Sequence, residues 1–308
     1  SLIICCGEAL VDMIPLQGAN GEQGYAPLAG GALLNTAIAL GRLGVNVGII
    51  SGISTDLFGE RLVRALQDSH VCTDLLIRST LPTTLAFVQL DDGHASYTFY
   101  DENSAGRSVE EAQLPTLPDA VSTLYLGGIS LISEPGADSY CALAEREHGK
   151  CIIVLDPNIR TTFIEDELRY RSRLERLMAV ADIIKVSDED LDWLVPGDIK
   201  EDDKVASLGG DSCLVIITKG NKDAVAYLPN GNVVLQAVPK VKVVDTVGAG
   251  DTFNAGFMAQ LVTLGQLTKT NLPNMDESVL QAAMAYATQV AAVTVSRAGA
   301  NPPWLSEL

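Results

Sequence analysis

Six short apolar runs, at residues 2–6, 45–50, 123–126, 152–155, 183–186 and 214–218, recur along this chain with helix-like stretches between most of them, and they restrict its fold more than any other feature. A strand with one wet face alternates apolar and polar residues. These runs are apolar at successive positions, so both of their faces are buried. Burial on two faces predicts a three-layer α/β fold, a mostly parallel central sheet flanked by helices. The 308 residues are read as a single domain, 1–308, because 47% apolar against 19% charged residues suits one large core. Ligands of such sheets gather beyond the carboxyl ends of the strands. Polar candidates stand there: Asp12, Asp156 with Arg160, residues 188–190, and residues 245–251.

One region breaks the alternation. Residues 85–90 and 94–100 flank Asp91-Asp92-Gly93 and read as a hairpin with no helix beside it, and residues 17–28 also lack helix periodicity. Both are read as parts of a small β-sheet lid, formed by segments about 13–29 and 84–104 inserted within the domain. A lid of this kind excludes water from a site. A second hairpin, 224–228 with 233–237, is read as structural.

The net charge of −18, with no Lys/Arg-rich run, argues against a nucleic-acid partner, and no segment approaches 18 consecutive apolar residues, so no membrane span is expected. The six cysteines show no CxxC pairing and mostly sit in apolar runs, which suits buried thiols in a reducing, cytoplasmic setting. Three unclustered histidines make a zinc site improbable.

Residues 245–251, Asp-Thr-Val-Gly-Ala-Gly-Asp, join a strand-like stretch (241–244) to a helix on which Phe253, Phe257, Leu261 and Leu264 form one apolar stripe. Gly248 and Gly250 thus fall at the helix start, where free N–H groups and the helix dipole attract an anion and glycines let it approach. Asp251 is out of place beside a bound phosphate unless it handles a proton, and its natural task is to accept one from a hydroxyl during phosphoryl transfer. No P-loop string occurs, and a dinucleotide fingerprint would need a glycine where Phe253 stands. A second constellation, Gly30-Gly31-Ala32-Leu33-Leu34-Asn35, opens a helix that carries Thr36, Ala39, Leu40 and Leu43 and stops at Gly44. Asn35 on that helix and Asp12 upstream suit hydrogen bonding to a neutral polyol, or are equally a satisfied buried amide and a turn residue before Pro15.

Together, 30–44 (with Asn35 and Arg42) and 245–251 closely resemble the two signatures of the ribokinase-like (PfkB) carbohydrate kinases. Further landmarks follow in family order: Cys6-Gly7-Glu8-Ala9-Leu10-Val11-Asp12, Thr55-Asp56-Leu57-Phe58-Gly59, Leu155-Asp156-Pro157-Asn158-Ile159-Arg160, Lys185-Val186-Ser187-Asp188-Glu189-Asp190 and Thr218-Lys219-Gly220. The wording at 7–12, 127–132 and 156–160 is most similar to bacterial fructokinases. The resemblance implies an ATP-dependent kinase that phosphorylates the terminal hydroxyl of a ketose, D-fructose first; 2-keto-3-deoxygluconate and ribosyl nucleosides are the alternatives within the family. It implies Asp251 as base, with Gly248, Ala249 and Gly250 completing the anion hole. Asp12, Gly31, Asn35 and Phe99 would hold the sugar, with Arg160 at the sugar or the phosphates. Lys185, Thr218, Gly220, Ala249, Gly250 and Ala287 would line the nucleotide site. Asp190 would organise Mg²⁺ through water, and Asp245 would serve a monovalent cation, K⁺. It also implies a homodimer through the lid strands, whose sheet edge invites pairing.

Two departures from the family pattern matter. Ser187 stands where relatives often carry an asparagine that orders the metal. Asp101 stands in the lid hairpin where relatives acting on 2-keto-3-deoxygluconate, and many fructokinases, have an arginine; a carboxylate there would repel an acid sugar and favours a neutral acceptor, and Arg107 offers partial compensation. Loss of Asp251 or of the glycines would mark a catalytically silent binder, and all are present.

Overall fold

In chain order the computed structural model, which describes residues 1–92 and 94–308, runs β1 (Leu2–Cys6), β2 (Leu10–Gln17), β3 (Gln23–Gly30), α1 (Ala32–Arg42), β4 (Val47–Ile50), β5 (Gly52–Ser54), α2 (Leu57–Asp68), β6 (Ile77–Ser79), β7 (Leu85–Asp91) and β8 (His94–Tyr100). It continues with β9 (Val121–Gly127), α3 (Gly136–Glu147), β10 (Ile152–Asp156), α4 (Glu167–Val180), β11 (Ile183–Ser187), α5 (Asp188–Leu194), α6 (Glu201–Ala206), β12 (Leu214–Thr218), β13 (Ala224–Tyr227), β14 (Val233–Gln236), α7 (Ala249–Thr263) and α8 (Glu277–Val295). Gly93, the glycine of the expected lid turn, lies outside the described residues.

The six apolar runs all become strands of one eight-stranded sheet, ordered β14-β13-β12-β11-β10-β9-β1-β4. Pairing is parallel from β4 to β12, and β13 and β14 add an antiparallel edge. The pleat shows why the runs are apolar throughout. Ile3 and Cys5 of β1 enter the core formed with α1, α7 and α8, whereas Ile4 and Cys6 enter the opposite core against α3 and α4. Each buried isoleucine contributes roughly 1.5–3 kcal/mol relative to exposure.

The segments expected to form a lid make a separate four-stranded sheet, β3-β2-β7-β8, in which β2 pairs antiparallel with β3 and parallel with β7. Strands β7 and β8 form the hairpin. The exposed apolar residues of this sheet lie on both faces: Leu28, Leu90 and Tyr97 share the face of Asp12 and Phe99, and Tyr100 lies on the other, each half exposed or more.

Two expectations need correction, and two others are refined. The stretch 241–244 is not a strand; Val241, Val243 and Val244 are exposed, and among the described residues only the Val244 N–H finds a backbone acceptor, Val295 O at 2.8 Å. Helix α7 is buried over almost its whole circumference from Asp251 to Ala259 rather than along one stripe, because α1 and α8 pack on either side of it, and Leu264 is exposed at its end. Helix α8 is long and apolar enough by composition to cross a membrane, but it lies along α7 with Leu280, Met284 and Val290 completely buried. Cys72 is exposed, unlike the other five cysteines.

Candidate active site

The sheet delivers its chemistry at the carboxyl ends of β10 and β11 and at the facing N-termini of α1 and α7. Gly248 caps α7 in the left-handed region (φ 78°), and a Cβ there would lie 2.9 Å from Ala300 Cβ, so conformation and space both demand glycine. The first helical bond runs from Thr252 N–H to Gly248 O at 2.9 Å, while Ala249 N–H turns back to Thr246 O at 3.3 Å. Among the described residues no protein acceptor meets the N–H of Gly250 or Asp251. Two free donors therefore point out of the positive end of a fifteen-residue helix. Lys185 adds a charge: its Nζ lies 3.1 Å from where a Cβ on Gly250 would be.

Asp251 sits in the first turn of α7 and is 9% exposed. Asn35, one turn into α1, donates from Nδ2 to Asp251 Oδ2 at 3.1 Å, and Thr36 Oγ1 donates to the Asp251 carbonyl at 3.1 Å. Burial pushes the Asp251 carboxyl from 3.8 up to about 7; nearby Asp156 and Glu8 push the same way, and the Asn35 bond and Lys185 pull back. A proton acceptor tuned near neutrality has the balance of basicity and availability that general-base chemistry requires.

Behind the helix start lies a network that sequence reasoning missed in part. Asp156 Oδ2 accepts from Lys185 Nζ at 3.1 Å and from Asn254 Nδ2 at 2.7 Å, and Asn254 Nδ2 also approaches the Tyr125 hydroxyl at 2.8 Å. All four are buried. Asn254 was recoverable as a polar residue one turn after Asp251 on an apolar helix; Tyr125, inside an apolar strand, carried no signal.

The residues expected to hold the sugar lie on β2, at the start of α1, on β8 and on the loop after β10. Asp12 lies on β2, not in a turn, with its carboxylate over Gly30: a Cβ on Gly30 would fall 2.2 Å from Asp12 Oδ2. Burial raises its carboxyl to about 6. Gly31 caps α1 at φ 100°. Phe99 of β8 meets Phe163 at 4.7 Å between ring centroids, joining the lid to the loop after β10. Arg160 on that loop is exposed. Asp101 is buried; its Oδ1 accepts from Thr84 Oγ1 (2.6 Å) and Ser104 Oγ (2.7 Å), and its Oδ2 faces Arg107 Nη1 at 3.6 Å. A cavity of about 450 Å³ opens beside Phe99 and Phe163, and its walls hold Asp101, Glu102, Glu134, Glu165 and Asp166 against Arg107, Arg169 and Arg173. Arg42 points elsewhere: it binds Asn301 Oδ1 and Pro302 O, both at 2.8 Å, and covers the Trp304 ring, tying α1 to the C-terminal segment.

Among the remaining positions, Thr218 ends β12 and Gly220 follows it with open space around it. Ala287 departs from expectation: it is completely buried where α8 crosses α7, against Gly256, and its side chain faces only protein. Asp190 accepts from Ile159 N–H at 3.1 Å, and burial raises its carboxyl to about 6, with Asp156 pushing the same way and Lys185 and Arg160 opposing. A desolvated carboxylate beside Asp156 fits a hydrated Mg²⁺, which would supply compensating charge. Ser187 is occupied as the N-cap of α5, accepting Asp190 N–H at 3.0 Å. Asp245 accepts from Val247 N–H at 3.0 Å and Gly299 N–H at 2.9 Å, pinning the turn before α7 to the loop after α8.

The model of the pfkB family carbohydrate kinases matches residues 1–307. A fructokinase of Rhizobium leguminosarum bv. trifolii is 46% identical over 283 residues, 91% of this chain and 86% of that protein. Among solved structures, fructokinase from Xylella fastidiosa with bound ATP superimposes with a TM-score of 0.88 at 26% identity, covering 99% of this chain and 96% of that one. A double mutant of fructokinase from Vibrio cholerae O395, with fructose, ADP and potassium ion bound, gives 0.82 at 25% identity, covering 97% and 94%.

Proposed function

The chain belongs to the pfkB family of carbohydrate kinases, and from that premise we propose that it transfers the γ-phosphoryl group of ATP to the terminal hydroxyl of D-fructose, giving fructose 6-phosphate and ADP. One observation carries the reading: a buried carboxyl, Asp251, held near neutral pKa and oriented by Asn35, beside two unpartnered N–H groups at a helix start.

In this reading the sugar lies against Asp12, Gly31 and Asn35, under Phe99 and within reach of Arg160. Asp251 takes the proton from the terminal hydroxyl as its oxygen bonds to the γ-phosphorus and the bond from that phosphorus to the ADP oxygen breaks. The Gly250 and Asp251 N–H groups hold the equatorial oxygens of the migrating phosphoryl group, with Lys185 behind them. Thr218 and Gly220 lie on the nucleotide side, and Asp190 would hold Mg²⁺ through water. When bound, that ion would neutralise charge on the phosphates. The lid excludes water, so that ATP is not hydrolysed.

Specificity follows from charge. Asp101 is buried at the lid, and the neighbouring cavity carries more carboxylates than guanidiniums, an arrangement that repels an acid sugar and accepts a neutral ketose. The exposed apolar residues of the lid sheet, Leu28, Leu90 and Tyr97 on the face of Asp12 and Phe99 and Tyr100 on the other, support pairing with a second copy. A panel of fructose, 2-keto-3-deoxygluconate, ribosyl nucleosides and other ketoses, assayed for ADP release with ATP and Mg²⁺, tests the assignment. Fructose should give the highest kcat/KM; negligible turnover with fructose would refute it.

A further inference from the structure

We propose that Glu8 is a positioning residue that caps α1 from a neighbouring strand end and so holds the acceptor half of the site in register. Helix α1 begins at Gly31, which has no side chain, and no side-chain bond of its own caps it. A helix start normally satisfies its orphan N–H groups with an Ser, Thr, Asp or Asn oxygen at the cap position. Glu8, just beyond β1, does this across the chain. Its Oε1 accepts Ala32 N–H at 3.3 Å, and its main-chain carbonyl lies 3.3 Å from Leu34 N. The other carboxylate oxygen, Oε2, accepts Ser130 N–H at 3.1 Å, so one side chain ties α1 to the turn after β9.

The surrounding backbone is shaped to admit it. A Cβ on Gly128 would fall 2.1 Å from Glu8 Oε1, and one on Gly31 would lie 3.1 Å from its Cγ. Glu8 is buried, and burial pushes its carboxyl upward while the Ser130 and Ala32 N–H groups oppose that. A carboxylate at the positive end of α1 also meets the helix dipole favourably. The path onward is short. One turn along the same helix, Asn35 donates to Asp251, and Thr36 donates to the Asp251 carbonyl. Loosening the first turn of α1 therefore displaces the sugar-facing amide and the hold on the base together.

The inference rests on the kinase reading only for the identity of the ligand that α1 serves. Two variants attack the same contact differently: E8Q keeps the volume but turns an NH2 group toward a backbone N–H, and G128A keeps the charge but pushes the carboxylate aside. In both, KM for fructose should rise by about tenfold or more with lower kcat, the loss expected of a charge-assisted bond, while KM for ATP stays within about twofold. Independently of any substrate, amide hydrogen exchange in residues 32–36 of the ligand-free protein should accelerate, with α8 protected as in the wild type. Equal rises in both KM values, unchanged fructose kinetics, or unchanged exchange at 32–36 would overturn the proposal. If E8Q does not accumulate as folded protein, E8D, one methylene shorter, is judged with G128A by the same criteria. Wild-type inactivity on fructose would instead count against the kinase reading and leave the exchange result to decide the role of Glu8.

Discussion

Replacing Asp251 with asparagine separates two effects of one carboxylate, because the group proposed as the base also strains the fold. Burial raises its pKa from 3.8 to about 7, a difference equivalent to roughly 4 kcal/mol. The sign follows from linkage. Below about pH 3.8 the carboxyl is protonated in folded and unfolded chains alike and contributes nothing. Between 3.8 and about 7 the folded chain holds the proton that the unfolded chain has released, and the cost of burying charge grows with pH. Above about 7 both are ionised and the folded chain carries the full penalty. Asp251→Asn removes the charge while its amide oxygen still accepts the Asn35 bond. The variant should therefore be more stable than the wild type by about 2–4 kcal/mol at pH 8, with a melting temperature several degrees higher, and the advantage should shrink steadily toward pH 5. Its kcat should fall by about 10²–10⁴-fold while fructose still binds. Scanning calorimetry of the ligand-free protein from pH 5 to 8.5, with ADP-release kinetics, reads both. A stability difference that is absent or independent of pH would refute the buried, charged environment; near-normal turnover would refute the role as base.

The same shift predicts that kcat/KM for fructose rises with pH through a limb near 7 as Asp251 loses its proton, and a profile flat from pH 5.5 to 8 would contradict it. Lys185→Met leaves Asp156 without its cation, so unfolding in urea should reveal a loss of about 3–5 kcal/mol, and the acid limb should move upward because Lys185 holds the Asp251 carboxyl down. Gly250→Ala places a methyl group 3.1 Å from Lys185 Nζ, in the mouth of the anion hole, so kcat should fall by at least about tenfold with the fold intact by circular dichroism. Wild-type rates in that variant would show that the phosphoryl group does not approach the helix start there.

The layering, and the ends of the strands where chemistry gathers, were legible in the sequence because burial on two faces leaves a period-free apolar run, as at β10 and β11. The glycines and aspartate at 245–251 were legible for a similar reason: left-handed backbone at Gly248 and a free helix end are local properties, fixed by residues adjacent in the chain. Tertiary structure alone decided what lies 29 to 216 positions away. It set Asn35 on Asp251, Lys185 and Asn254 on Asp156, and it turned Ala287 into the α7 interface and left 241–244 without a strand partner. Those outcomes depend on distances between elements and on desolvation. A pKa near 7 is a property of the enclosure around Asp251, which no run of neighbouring letters contains.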